Sequence, residues 1–302
     1  MNKWLPLLII LCLACIGFIL LMAQSDQEKI VPAAIGKPQR IVSSAPNLTE
    51  ILFELGLGES VVAVSSDSDY PAKAANKKKV GTFWHPNIET IISCKPDLVI
   101  TLDFEQQKAV ADSLTRLDYN ILTLQIDKIE DLWTAIKKIG MATDCEQQAD
   151  ELVNNLKGKL NDLQGKTNSL NKTKVLWVIQ NEPLRVAGRN TFINELIELA
   201  GGENAVGPTI QQYPSVSTEE LITCQAQVII QSAMEPDNIE KQQQTAEDYW
   251  SKYPNLPAVE NNRIFVLYSD EVLRLGPRLP QGAAIISRFL HPDIFANDTT
   301  TK

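Results

Sequence analysis

A twelve-residue segment of this chain occurs twice, and between the copies lies one long amphipathic helix; together they restrict the fold to two related lobes and a strut. Glu89-Thr-Ile-Ile-Ser-Cys94-Lys-Pro-Asp-Leu-Val-Ile100 matches Glu219-Glu-Leu-Ile-Thr-Cys224-Gln-Ala-Gln-Val-Ile-Ile230 at a constant offset of 130 residues. A second pair, Glu54-Leu-Gly-Leu-Gly-Glu59 and Glu198-Leu-Ala-Gly-Gly-Glu203, repeats at an offset of 144. Two matches in the same order point to lobes of similar fold, although helix-to-strand junctions also share pattern and turn chemistry on their own.

Apolar runs of strand length recur at Ile41 to Ser43, Val61 to Val64, Leu98 to Leu102 and Ile121 to Leu124, with helical stretches between them at Leu48 to Leu55 and Leu132 to Ile139. The alternation returns in strands at Val175 to Ile179, Val228 to Gln231 and Ile264 to Leu267, and in helices at Phe192 to Leu199, Glu219 to Thr223 and Gln281 to Phe289. Strands alternating with helices predict the α/β class: two Rossmann-like lobes with parallel sheets, helices on both faces. From Asp144 to Leu163, Ala149, Leu152, Val153, Leu156, Leu160 and Leu163 recur at three and four residues. That period predicts a helix of about 20 residues, near 30 Å long. Asp144 is expected to cap its start and the polar Gly165 to Thr173 stretch to end it. The expected organisation is an N-terminal lobe over 38–143, a single long interlobe helix over 144–165 and a C-terminal lobe over 172–295. Such a strut allows only small lobe closure.

The first 25 residues are set apart from the fold. Lys3 precedes an uncharged apolar run from Leu5 to Ala23, the order that export machinery reads. Its 19 residues reach the lower edge of a membrane span, which fits retention as an inner-membrane anchor. Ala23-Gln24-Ser25 puts small residues at the two positions a signal peptidase needs, which fits cleavage. Either way the expected location is periplasmic. Leu13-Ala14-Cys15 is a poor lipoprotein signal, because Cys12 stands where an aliphatic residue is wanted.

Composition removes several classes. The 28 basic side chains are scattered among 37 acidic ones, so no patch would follow a phosphate backbone and nucleic acid is excluded as a partner. Beyond the leader, Cys94, Cys145 and Cys224 are odd in number and widely spaced, which fits neither a disulfide framework nor a metal clip. Two histidines, His85 and His291, give too little imidazole for a multi-histidine metal site or a Ser/His/Asp enzyme. No GxGxxG follows the first strand, and no GxxxxGK[ST] or GxSxG occurs. No catalytic residue, resident cofactor or protein-held metal is expected.

The motifs carry a family likeness. Arg40-Ile-Val-Ser-Ser-Ala-Pro-Asn-Leu-Thr-Glu50, Ser65-Ser-Asp-Ser-Asp-Tyr-Pro71, Gly81-Thr-Phe-Trp-His-Pro-Asn-Ile-Glu89, Lys95-Pro-Asp-Leu-Val-Ile100, Tyr213-Pro-Ser-Val-Ser-Thr-Glu219 and Arg274-Leu-Gly-Pro-Arg278 resemble the periplasmic binding proteins that serve iron-siderophore, haem and cobalamin ABC importers. The likeness runs over the whole mature chain, and within the family it is most similar to the cobalamin-binding members. It implies the class III architecture, a monomer without enzymatic activity, and a ligand held between the lobes and passed to the membrane subunits of an importer. The implied ligand is a cobalt corrinoid; the alternative is a ferric siderophore or haem.

In open parallel sheets ligands sit beyond the carboxyl ends of strands, here Ser43 to Asn47, Ser65 to Asp67, Leu102 to Phe104, Gln180 to Asn181 and Ser269 to Arg274. The resemblance places a pocket aromatic six residues before each docking acid. That spacing gives Phe83, with Trp84 adjacent, before Glu89, and Tyr213 before Glu219. Two such aromatics would sandwich a flat ring. Asp67 stands where the cobalamin-binding members carry a pocket tyrosine. Asn47, Asp270 and Arg274 complete the expected ligand set, with His85 as an imidazole able to meet cobalt or iron or else merely solvated. Arg274 and Arg278 both suit a ligand carboxylate or phosphate, while Arg278 has the alternative reading of a surface ion pair. Glu89 and Glu219 are either first-turn helix charges or the paired carboxylates that meet arginines on the importer.

Overall fold

The computed structural model describes residues 37–233 and 237–295. The leader lies outside the described residues. The N-terminal lobe runs β1 (Ile41–Ser43), α1 (Pro46–Glu54), β2 (Val61–Val64), α2 (Ala72–Ala75), β3 (Lys78–Lys79), α3 (Ile88–Ser93), β4 (Leu98–Leu102), α4 (Glu105–Thr115), β5 (Ile121–Leu124) and α5 (Ile129–Thr143). Its sheet is wholly parallel in the order β3-β2-β1-β4-β5. The chain therefore winds outward from β1 in one direction and, after β3, in the other. The switch lies between β1 and β4, and the loops leaving their carboxyl ends diverge to open a crevice. Val42, Ala63 and Val99 pack beneath it against Val80, Ile91 and Leu114, all at or near zero exposure.

Helix α6 (Glu146–Thr167) leads to the second lobe: β6 (Thr173–Asn181), β7 (Leu184–Val186), α7 (Phe192–Leu199), β8 (Gly202–Asn204), α8 (Thr218–Cys224), β9 (Val228–Ser232), α9 (Ile239–Trp250), α10 (Pro257–Glu260), β10 (Ile264–Leu267), α11 (Asp270–Leu273), α12 (Leu279–Leu290) and α13 (Pro292–Phe295). The sheet order is β10-β9-β6, after which β6 is shared. Its first half pairs β8 in parallel, Val175 opposite Asn204, and its second half pairs β7 antiparallel, Asn181 opposite Leu184. The expected parallel sheet thus carries one antiparallel strand. Trp177 and Trp250 are wholly buried in this lobe.

The twelve-residue repeat is structural as well as sequential. Asn87 and Ser217 cap α3 and α8 through side chains that accept from Thr90 N and Glu220 N. Lys95 and Gln225, equivalent at the offset of 130, both take a left-handed conformation, φ 47° and 50°, before β4 and β9. The second match is one residue out of register. Glu54 and Leu199 end their helices, and Gly56 and Gly201 follow with φ 76° and 82°.

Helix α6 buries Ala149, Val153, Leu156, Leu160 and Leu163 on one stripe, packing on α5 in the first lobe and on α12 and α7 in the second. At 22 residues it spans roughly 33 Å. One expectation, at its start, is corrected. Asp144, with φ 55°, closes α5 in a left-handed conformation and does not cap α6, whose N-cap is Cys145. The helix ends at Thr167, inside the polar Gly165 to Thr173 stretch expected to end it. The sharp α5–α6 corner depends on Gly140. A Cβ there would lie 2.6 Å from Ala149 Cβ and 3.2 Å from the Cys145 carbonyl. Gly140→Ala should therefore cost about 1–3 kcal/mol in urea denaturation despite the better helix propensity of alanine, and Gly140→Ala with Ala149→Gly should recover most of it. Equal stability of wild type and single variant would show that the corner has room.

Candidate functional site: the interlobe cleft

The loops at the β1/β4 switch point meet the second lobe around a cleft of about 310 Å³. Pro46, Asn47, Asp67, Phe83, Trp84, Leu102 and Ile126 line it from the first lobe, and Phe192, Leu273, Arg274 and Leu275 from the second. A larger concavity of about 540 Å³ lies wholly within the C-terminal lobe, between Val206, Pro208, Val216 and the α8 face that bears Glu219.

One wall is aromatic. Gly81 (φ 100°) turns the chain so tightly that a Cβ would strike the His85 carbonyl and approach Asn87 N at 2.8 Å, and the bridge between Gly81 and Pro86 closes the loop. The loop carries Phe83 and Trp84, whose rings meet edge to face at 4.9 Å. Phe104, the residue before α4, completes a three-ring cluster at 4.9 Å from Phe83 and 5.5 Å from Trp84. Trp84 remains 58% exposed, so its face is offered to the cleft and to solvent. Asp67, exposed at the cleft, braces this loop: its carboxylate accepts the Phe83 N–H at 2.6 Å. Gln107, buried behind the rings, donates to the Phe83 carbonyl at 3.0 Å.

Beside the cleft, the joint between the lobes is ionic. Arg278 joins the lobes through a bidentate pair with Glu50, Nη2 to Oε1 at 2.6 Å and Nε to Oε2 at 3.0 Å, and binds Glu271 at 2.7 Å. The Arg278 side chain is 12% exposed and that of Glu50 2%, so this is a buried interlobe pair and not the expected surface one. Its guanidinium also lies 4.3 Å over the Tyr70 ring. Arg274 bonds Asp69 across the joint at 2.8 Å and Asp270 at 3.0 Å. Burial alone would raise Asp69, yet Arg274 holds it below the usual carboxylate range, while burial pushes Asp270 up against the pull of Arg274. Asn47 donates to the Leu275 carbonyl at 3.0 Å, a third lobe-to-lobe link. At the far edge, beyond Ile126 and Phe192, Glu195 of the second lobe accepts the Ile129 N–H at the first turn of α5, 2.8 Å away.

The structure therefore brings Asn47, Asp67, Phe83, Trp84 and Arg274 to one cleft. Asp270 stands behind Arg274. His85 is exposed at the loop tip and Tyr213 is half-buried; neither is among the lining side chains. Burial raises the Tyr213 hydroxyl, with the Asp127 carboxylate of the other lobe adding to the effect. Phe104, Gln107, Ile126, Phe192, Leu273 and Leu275 were not singled out from sequence as site residues. Phe104 and Leu273 carried a signal, each lying in a strand-terminal segment. Glu89 and Glu219 are exposed in the matching first turns of α3 and α8.

The family profile described as periplasmic binding protein matches residues 41–271. The chain belongs to the periplasmic binding protein family. It is a solute-binding protein, not an enzyme. An uncharacterized ABC transporter substrate-binding lipoprotein of Bacillus subtilis, YvrC, is 30% identical over 267 residues, 86% of this chain and 82% of the relative. A vitamin B12-binding protein of Vibrio parahaemolyticus is 31% identical over 244 residues, covering 80% and 85%. Among solved structures, a possible iron-binding periplasmic solute-binding protein from Staphylococcus epidermidis aligns with a TM-score of 0.75 at 28% identity, covering 84% of this chain and 98% of that one. No helix of the described residues is long and apolar enough to cross a membrane.

The buried pair supplies a pH signature. Burial holds the Glu50 carboxyl above its ordinary range, against the hydrogen bond and charge of Arg278, while Arg278, although burial opposes its charge, is held charged by Glu50. A carboxyl raised in the folded state favours folding at low pH, and that stability is lost as pH climbs from the ordinary carboxylate value through the raised one. Arg278→Ala should cost about 3–5 kcal/mol near neutral pH, because it strands a buried carboxylate. It also removes the lowering influence on Glu50, so the deficit should shrink toward about pH 5. Urea denaturation of both proteins across that range decides it: a deficit independent of pH would mean that Glu50 is not the stranded group.

Proposed function

We propose that the chain is the exported receptor of an ABC importer and that it captures a corrinoid in the interlobe cleft. The observation that carries the ligand class is the charge state of the lining. Among the described residues that line the cleft, Arg274 is the single cation, and two carboxylates already neutralise it. An anionic ferric chelate or the propionates of haem would meet no unpaired positive charge there, and no histidine or tyrosine lines the cleft to take an axial position on iron. The periphery of a corrin is largely amide, and its faces suit the Phe83/Trp84/Phe104 wall opposite Phe192 and Leu273. The Vibrio relative named for vitamin B12 supports the same class. At about 310 Å³ the cleft is at the small end for ligand pockets and smaller than a whole corrinoid. Seating the macrocycle therefore parts the lobes at the Ile129–Glu195 edge, since Arg278 fastens the other.

Titration calorimetry with cobinamide, cyanocobalamin, haem and a ferric siderophore tests this side by side. Phe83→Ala with Trp84→Ala should weaken corrinoid binding roughly 10²–10⁴-fold, from about 1.5–3 kcal/mol per ring, with a smaller loss for Tyr213→Ala. Corrinoid affinity unchanged in the double variant, or saturable binding of haem or siderophore alone, would overturn the ligand class.

The importer is engaged through Glu89 and Glu219, exposed carboxylates at equivalent positions of the repeat, as two related membrane subunits would require. Charge-assisted contacts of this kind fix register and speed encounter more than they add affinity. Glu89→Ala with Glu219→Ala should leave folding and ligand binding intact, weaken association with the permease, and remove much of the salt dependence of that association. Uptake in reconstituted vesicles equal to that of the parent would reduce both residues to helix-end charges.

A further inference from the structure

Helix α4 starts directly after Phe104, the third ring of the aromatic wall, and its third residue, Gln107, has no solvent exposure. A primary amide can donate twice and accept twice. Gln107 does all four. Its Oε1 accepts Ser44 Oγ at 2.6 Å and Leu102 N at 2.8 Å, and its Nε2 donates to Ser44 O at 2.9 Å and Phe83 O at 3.0 Å. These partners lie on the three segments that build the first lobe's side of the cleft: the ends of β1 and β4, on either side of the switch point, and the 81–86 loop that carries the rings. Asp67 holds the N–H of Phe83 and Gln107 its carbonyl, so the residue is gripped on both sides by different elements.

We infer that Gln107 is the positioning residue of the ligand cleft: its buried amide locks the Phe83–Trp84 loop to the β1 and β4 ends and presents the aromatic wall in its binding conformation. The inference rests on reading the cleft as the ligand site. A fully satisfied buried amide specifies one geometry, because each bond it loses leaves an unpaired polar group in a dry place. Leucine at 107 orphans two carbonyls and one N–H. Glutamate keeps the acceptors, loses both donors and buries a charge. A wall fixed before the ligand arrives spares the ordering cost of fixing it during binding.

Fluorotryptophan labelling with fluorine NMR tests this without any ligand. The Trp84 resonance is assigned by Trp84→Phe, and the wholly buried Trp177 and Trp250 serve as internal references. In Gln107→Leu the Trp84 resonance should shift and broaden while those of Trp177 and Trp250 hold, and the affinity for cobinamide should fall at least about tenfold. If Gln107→Leu does not fold, Ser44→Ala, which removes the 2.6 Å bond to Oε1, carries the same test with a smaller displacement. A Trp84 resonance that stays put in whichever variant folds overturns the inference. So does a matching shift in Val266→Ala, which loosens the core of the other lobe. Wild-type protein that ignores cobinamide would overturn the corrinoid reading alone, because the fluorine signal of Trp84 still reports on Gln107.

Discussion

A buried carboxylate and a buried guanidinium meet where the two lobes join, and the geometry of the cleft depends on that pair. Glu50 comes from α1 and Arg278 from the turn before α12, so the bond closes most of the described chain into a ring. Helix α6 sets how far apart the lobes stand, and Arg278 sets how they face each other. Two buried charges are a poor source of net stability, since desolvation consumes most of their attraction. Their value lies in direction: a bidentate fork accepts one orientation of its partner, where apolar contacts would tolerate sliding. With Arg274 and Asn47 beside it, this ionic joint leaves the other edge, where Glu195 of α7 accepts from the first turn of α5, as the weaker seam.

Much of the fold was legible because its strands are short, apolar and largely buried. Ile41–Ser43, Val61–Val64, Leu98–Leu102, Ile121–Leu124 and Ile264–Leu267 stand where the apolar runs put them. Strands β3, β7 and β8 left no such trace, being two or three residues long and pairing only at edges. Helix α9 also escaped notice, since Lys241 and Gln242 to Gln244 dilute its apolar stripe to Ala246 and Trp250. Asp144 misled because an aspartate beside a helix reads as an N-cap, whereas two helices meeting at a tight corner used it as the exit of the first.

The site was legible only in part, for a different reason. Phe83 and Trp84 could be found because a local motif carries them, but the partners that fix them are distant in sequence. Nothing near Glu50 announces Arg278, 228 residues away, and nothing in the period of α4 marks Gln107 as more than one of several glutamines. The repeat also promised more symmetry than the cleft delivers. Its caps, first-turn glutamates and left-handed residues superpose faithfully, yet the aromatic wall belongs to the first lobe alone, and the second answers with Phe192 and leucines.

The sheet borders have a consequence of their own. An open strand edge is a template on which another chain can add a strand, and proteins blunt such edges with brevity, lysines or a change of partner. All three devices occur among the described strands. The outermost strand on one side of the first sheet is two lysines, Lys78 and Lys79. In the second sheet the nine residues of β6 would form a long open border, but β8 covers the first part in one direction and β7 the last part in the other. A newcomer would find a border that reverses polarity halfway along. Along these borders a second copy of the chain would find no long, uniform edge on which to add a strand.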